Sequence, residues 1–170
     1  GHGGHPEGAG LIHGYAPIEP FIQLYCVEPD GSVSLAETHD APWASMMHDF
    51  AITENYVIFP LGGIGFDLAE MMTGTFHDGV RANDRPMMFG IRERTPGSAV
   101  RWFEAPSSSY MFHPGNAYEE DGRIYMDACT YEDPQGLLDW LNVAREGKSG
   151  PGLKAHPYGY EFDLSSETCK

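Results

Sequence analysis

Short apolar runs, broken by Gly, Pro, Asp and Asn, recur along the whole chain. Phe21-Ile-Gln-Leu-Tyr-Cys-Val27 reads as a strand, Pro29-Asp-Gly31 as a turn, and Ser32 to Glu37 as the returning strand. Ser45 to Ile52 leads through the turn signal Thr53-Glu-Asn55 into Tyr56-Val-Ile-Phe59. Leu61 to Gly79 reads as a long excursion with a helical turn around Asp67 to Met72. Pro86 to Arg92 and Ala99 to Glu104 form a second strand pair around Thr95-Pro-Gly97. Ser109 to Ala117 and Arg123 to Cys129 form a third around Asp121-Gly122.

One stretch has helical spacing. Asp133 is placed to cap it, Pro134 suits the first turn, Leu137, Leu138 and Leu141 make an apolar stripe, and Gly147 ends it. Tyr158 to Leu164 is a last strand, read as the first half of a hairpin whose partner does not follow. The expectation is an all-β chain of several antiparallel strand–turn–strand units with a short helical insertion. Repeated units of this kind suggest propeller blades. A sandwich or jelly roll fits the same pattern.

The 170 residues include 21 Gly and 13 Pro, and are enough for one domain with a real core. A formal net charge of −15, with no offsetting block of Lys or Arg, argues against nucleic-acid binding. No apolar run approaches a membrane span, and the start lacks a secretory pattern. Cys26, Cys129 and Cys169 are scattered, without CxxC spacing, which favours a reducing, cytoplasmic setting over a disulfide framework or a thiolate zinc site.

The candidate chemistry lies in histidines. His5, His48 and His113 sit in Gly-Gly-His-Pro, Met-Met-His-Asp-Phe and Phe-His-Pro-Gly-Asn, each at the edge of a strand-like run. Neutral imidazole binds iron, zinc or copper. Three widely spaced ligands from separate strands would leave a metal with open positions. No HxH or HExxH pair is present, so spacing alone is weak support. The apolar neighbours Met46, Met47, Phe50 and Phe112 predict buried imidazoles in need of a partner. His2, His13, His39, His77 and His156 read as exposed loop residues, although His2 competes with His5 for the first ligand position. Asp49, Glu119 and Glu120 are candidates to orient an imidazole, or else turn and surface residues. Met71, Met72, Met87 and Met88 read as core or as the lining of an apolar tunnel. Gly62-Gly-Ile-Gly65 lacks the context of a phosphate loop, and Ser107 to Ser109 lacks a nucleophile elbow.

Gly4-His5-Pro6, Ser45-Met-Met-His48-Asp-Phe-Ala-Ile-Thr-Glu-Asn-Tyr-Val-Ile-Phe59 and Phe112-His113-Pro-Gly-Asn-Ala-Tyr-Glu-Glu120 resemble, in order, segments of the carotenoid cleavage oxygenase family. The family includes carotenoid, apocarotenoid and lignostilbene dioxygenases. The resemblance implies a seven-bladed β-propeller with a helical cap and an axial non-haem Fe(II) held by four histidines, with glutamates behind some of them. It implies O₂-dependent cleavage of a conjugated alkene to two carbonyl products, without an organic cofactor.

By the same resemblance, His5, His48 and His113 are the first three metal ligands. His156 comes too early to be the fourth, and Glu119 and Glu120 do not match the family's glutamates. Residues 1–170 are then expected to be the central part of a single propeller domain, truncated at both ends and inactive alone. The partners would be O₂ and an apolar alkene, with no transmembrane segment. The rival readings are a jelly-roll histidine–metal dioxygenase, which the missing HxH disfavours, and a metal-free propeller binding module.

Overall fold

The computed structural model of the chain describes residues 3, 4, 8–150 and 152–170. Three four-stranded antiparallel sheets follow one another along the sequence. The first blade holds β1 (Gly3–Gly4), β2 (Gly10–Tyr15), β3 (Ile22–Val27) and β4 (Val33–His39), paired in that order. The second holds β5 (Ala51–Ile52), β6 (Tyr56–Leu61), β9 (Met88–Glu93) and β10 (Arg101–Glu104). The third holds β11 (Tyr110–Glu120), β12 (Arg123–Tyr131), β13 (His156–Asp163) and β14 (Thr168–Cys169). A two-stranded ribbon, β7 (Ile64–Phe66) with β8 (Val80–Ala82), is inserted between β6 and β9 and carries α1 (Leu68–Thr73) and a 3₁₀ turn at Phe76–Gly79.

The blades stack face to face. The edge strands β5 and β11 lie side by side, and so do β10 and β14 at the opposite edges of the same two sheets. Alternating side chains of one strand therefore serve two cores. Val57, Phe59 and Leu61 of β6 pack with Leu11, Ile22 and Leu24 of the first blade. Ile58, the intervening residue, packs with Phe89, Ile91 and Phe103 against Ile124, Met126, Tyr160 and Phe162 of the third blade. That two-sided burial is why Tyr56 to Leu61 reads as a continuous apolar run, whereas β4 keeps several exposed positions. These are stacked blades of a β-propeller.

Turn chemistry sets the connections. Asp121 and Gly122 both adopt positive φ (50° and 76°), as a two-residue hairpin turn between β11 and β12 requires. In α2 (Pro134–Arg145), Asp133 accepts from the Gly136 amide at 2.8 Å, and Leu137 and Leu138 are buried beside Ile64, Val80 and Tyr110. The glycines of Gly62-Gly-Ile-Gly65 serve close packing: a Cβ on Gly65 would lie 2.5 Å from the Ala44 carbonyl oxygen.

The structure corrects one expectation and adds two features that the sequence pattern does not show. The last strand has partners: β13 pairs along its length with β12 and, after a turn at Leu164–Glu167, with β14. The two-residue β14 is too short to carry an alternation signal. A short strand, β1, precedes His5 and pairs with β2; two glycines give no apolar pattern. The long excursion is the ordered β7–β8 ribbon, whose strands are only three residues each.

Candidate metal centre

Two of the three candidate ligands meet. The imidazoles of His48 and His113 lie 4.9 Å apart between ring centroids and are nearly perpendicular, at 84°. His48 comes from the segment entering β5, and His113 from β11, the adjacent edge strand of the next blade. His5 lies outside the described residues.

Local sequence places each ring. In β11 the pairing register shifts on both sides of Pro114. Proline has no amide to give a ladder and is tolerated here because β11 is an edge strand. The irregularity re-aims neighbouring side chains, as bulges do beside functional sites. Ahead of His48, the buried Ser45 hydroxyl donates to the Gly62 and Ile64 carbonyls at 3.2 Å each, and the Met46 amide donates to the Ile64 carbonyl at 2.9 Å. The Phe112 ring packs edge-on against His48 at 5.4 Å and against Tyr110 at 5.1 Å.

Asp49 joins the two segments. Its Oδ2 accepts from His113 Nδ1 at 3.1 Å, and its Oδ1 accepts from the Phe50 amide at 2.8 Å. With Nδ1 so engaged, His113 leaves Nε2 as its free ligating nitrogen. A carboxylate behind an imidazole fixes its tautomer and raises its basicity.

Both rings are exposed, contrary to the burial expected from their apolar neighbours; the side chain of His113 is 68% exposed. The apolar residues beside them alternate inward instead: Met47 and Phe50 are in the core, while His48 points the other way. Exposure makes the pair accessible to a metal. Two imidazoles sharing one ion at about 2.0–2.1 Å per nitrogen have ring centres roughly 4–5.5 Å apart, so the observed spacing fits a shared ion. Among the described residues, no group of three or more His, Cys, Asp or Glu is gathered for a metal.

The other histidines divide. His77 and His156 are exposed as expected, although His156 begins β13 and is not in a loop. His13 and His39 overturn the loop expectation: they lie in β2 and β4 and are half-buried. His13 Nε2 lies 3.0 Å from the Met47 carbonyl oxygen, and its ring meets Phe50 edge-on at 4.9 Å. His39 joins Glu37 and the fully buried Arg92, with Nε2 3.1 Å from Arg92 Nη1. Strand alternation around them is broken by polar partners, which is why the sequence hides their burial. His2 lies outside the described residues.

The carboxylate candidates also separate. Glu119 accepts from the Asn55 amide at 2.7 Å and from its side chain at 2.9 Å, and binds the Thr53 hydroxyl. It therefore holds a turn, and among the described residues it makes no hydrogen bond to an imidazole. Glu120 is exposed. Met87 is buried in the core between the second and third blades, Met88 packs on the core between the first and second, and Met72 is 79% exposed. Sequence reasoning missed Tyr110, whose buried hydroxyl donates to the Met46 carbonyl at 2.9 Å. Burial pushes its phenol pKa up, so it stays a donor. Cys26, Cys129 and Cys169 are free thiols. Among the described residues, no helix is long and apolar enough to cross a membrane.

Adjacent propeller blades thus bring two imidazoles together, one from the segment entering β5 and one from the edge strand β11. The sequence profile of the retinal pigment epithelial membrane protein family (RPE65) matches residues 5–170. The chain is 34% identical over 155 residues to a carotenoid 9,10(9',10')-cleavage dioxygenase of Crocus sativus, covering 90% of this chain and 28% of that protein. It is 32% identical over 110 residues to lignostilbene-alpha,beta-dioxygenase isozyme III of Sphingomonas paucimobilis, covering 63% of this chain and 22% of that protein. The crystal structure of Pseudomonas brassicacearum lignostilbene dioxygenase superposes with a TM-score of 0.77 at 29% identity, over 96% of this chain and 35% of that one. A cobalt-substituted Synechocystis ACO structure, at 20% identity and a TM-score of 0.71, shares the fold. The chain belongs to the carotenoid cleavage oxygenase family, and the relatives it matches include proteins named as dioxygenases. It spans about a third or less of the length of these relatives.

Proposed function

We propose that these three blades form part of a single larger propeller domain that cleaves a conjugated carbon–carbon double bond with O₂. His5, His48 and His113 are ligands of a non-haem Fe(II) in this reading, and Asp49 orients His113. The observation that carries it is the meeting of His48 and His113 across adjacent blades, in the two segments that resemble the family most. When bound, iron supplies activation of O₂ and a template for the reacting alkene.

The balance is simple: R–CH=CH–R′ plus O₂ gives RCHO and R′CHO, so no further oxidant or reductant is needed. The chain's own residues hold the geometry. Asp49 accepts from His113 Nδ1, so that in the neutral ring the ligating lone pair lies on Nε2. Phe112 fixes the His48 ring edge-on and presents an apolar wall beside it. Relatives named for carotenoids and for lignostilbene support an extended apolar substrate, either a stilbenoid or an apocarotenoid.

The test is to incubate the full-length, Fe(II)-loaded protein with a hydroxystilbene and with an apocarotenal under ¹⁸O₂. The expected result is two carbonyl products from one of them, lost in His48→Ala and His113→Ala. Unchanged turnover in either variant contradicts the assignment.

A further inference from the structure

The two peptide groups that precede His48 are gripped from opposite sides by side chains of the neighbouring blades. Tyr110, at the start of β11 in the third blade, donates its hydroxyl to the Met46 carbonyl at 2.9 Å. His13, in β2 of the first blade, places Nε2 at 3.0 Å from the Met47 carbonyl oxygen. As a carbonyl only accepts, His13 donates there. Its ring also closes edge-on against Phe50, two residues beyond His48, at 4.9 Å. Met47, Phe50 and Tyr110 are all buried, at 2%, 5% and 1% exposure.

The Met47 carbonyl is half of the Met47–His48 peptide, and that unit is planar. A hydrogen bond on its oxygen fixes the rotation of the plane, and so the position of the His48 amide and Cα. The Tyr110 bond does the same one peptide earlier. Among the described residues, neither donor makes a hydrogen bond or ring contact with His48 or His113. Segment 46–48 has no strand pairing of its own in this stretch, so its conformation depends on these contacts and on those of Ser45 and the Met46 amide. An exposed ligand side chain is precise only if its backbone is held.

We propose that His13 and Tyr110 are positioning residues for His48, one from each flanking blade, so that ligand geometry is set by blade packing. This rests on His48 being a metal ligand. Groups hydrogen-bonded to a ligating side chain typically change metal affinity ten- to a hundredfold, and a brace on the ligand's backbone is expected to act at the lower end of that range.

The test titrates the metal-free full-length protein with Co(II), following its visible ligand-field bands, and records the melting temperature of each metal-free variant. Tyr110→Phe removes one oxygen and keeps the ring. His13→Phe keeps the ring against Phe50 and removes the donor, and His13→Gln restores a donor. The expected result is Co(II) affinity at least tenfold weaker, with altered bands, in Tyr110→Phe and His13→Phe, and recovery toward wild type in His13→Gln.

Wild-type affinity and bands in both Phe variants overturn the proposal, whether or not melting temperatures fall, because a purely structural role moves only the latter. If His13→Phe does not fold, Tyr110→Phe alone decides. His48→Ala separates the two readings. If it abolishes the bands while the Phe variants bind normally, only the brace fails. If it binds Co(II) like wild type, the metal reading fails and the brace with it.

Discussion

Asp49 and His113, 64 positions apart in sequence, meet with Oδ2 3.1 Å from Nδ1. The contact crosses from the second blade to the third, so it can form only when the two sheets are stacked with β5 beside β11. The same carboxylate caps the Phe50 amide, which ties the direction of His48's segment to that of His113's ring.

Replacing that carboxylate therefore affects both rings. Asp49→Ala is expected to weaken metal binding by about ten- to a hundredfold, the usual effect of losing an imidazole's hydrogen-bonding partner. Metal content after dialysis against a chelator, compared with wild type, checks this; equal retention would show that Asp49 is not involved.

Glu119 holds the turn of the second blade to β11 of the third through three hydrogen bonds to Thr53 and Asn55. These bonds to a charged acceptor, together with the buried Thr53 left behind, are worth about 1.5–3 kcal/mol. Glu119→Ala should lower stability by that amount in urea denaturation. In a protein whose metal site remains assembled, metal affinity should change far less than in Asp49→Ala. A neutral effect on stability would contradict the clamp.

The first and second blades are joined by an ion pair instead. Arg92 is fully buried, and Glu37 pairs with its guanidinium while accepting the Gly97 amide at 2.7 Å. The guanidinium also donates to the Thr95 carbonyl at 2.6 Å. Glu37→Ala leaves a buried cation without its counter-charge, which costs about 3–5 kcal/mol. Replacing both residues with apolar ones of similar volume should cost less than the single change, and denaturation of both variants distinguishes the cases.

His39 beside this pair gives a pH dependence. Burial first, and then the positive charge of Arg92, hold its pKa below the ordinary 6.5, against a partial pull from Glu37. The folded state therefore prefers the neutral ring, while the unfolded chain takes up a proton near 6.5. The contribution is complete above that value and is lost as pH falls from it toward the folded pKa. The slope is at most about 1.4 kcal/mol per pH unit for one proton. Stability measured from pH 7.5 to 5 should fall less steeply in His39→Gln than in wild type. His13, also held low by burial, accounts for part of what remains.

Much of this was legible in the sequence. The Asp133 cap, the Pro134 start and the Leu137–Leu138 stripe place α2 almost to the residue, because capping and periodicity are local signals. The hairpin turns at Gly31, Gly97 and Gly122 are legible for the same reason, since each needs a positive φ that glycine supplies. His48 and His113 were singled out through their motifs, while the blade stacking that joins them is a long-range fact with no local signature.

Burial of His13, His39 and Arg92 is hidden because each is offset by a partner distant in sequence: Met47 for His13, Arg92 for His39 and Glu37 for Arg92. The short strands β1 and β14 escaped because two residues carry no alternation. Tyr110 escaped because a tyrosine opening an apolar strand looks like any core aromatic until its hydroxyl is placed.

The most direct test of the central claim is the position of the metal in crystals of the full-length protein grown with Fe(II). An anomalous difference map collected at the iron edge locates it without ambiguity. The account predicts one peak about 2.0–2.3 Å from a ring nitrogen of His48 and Nε2 of His113, extending the histidine–metal distances known for zinc. His5 should lie on the same ion. A peak bound elsewhere, or His48 and His113 free of a fully occupied iron, would contradict it.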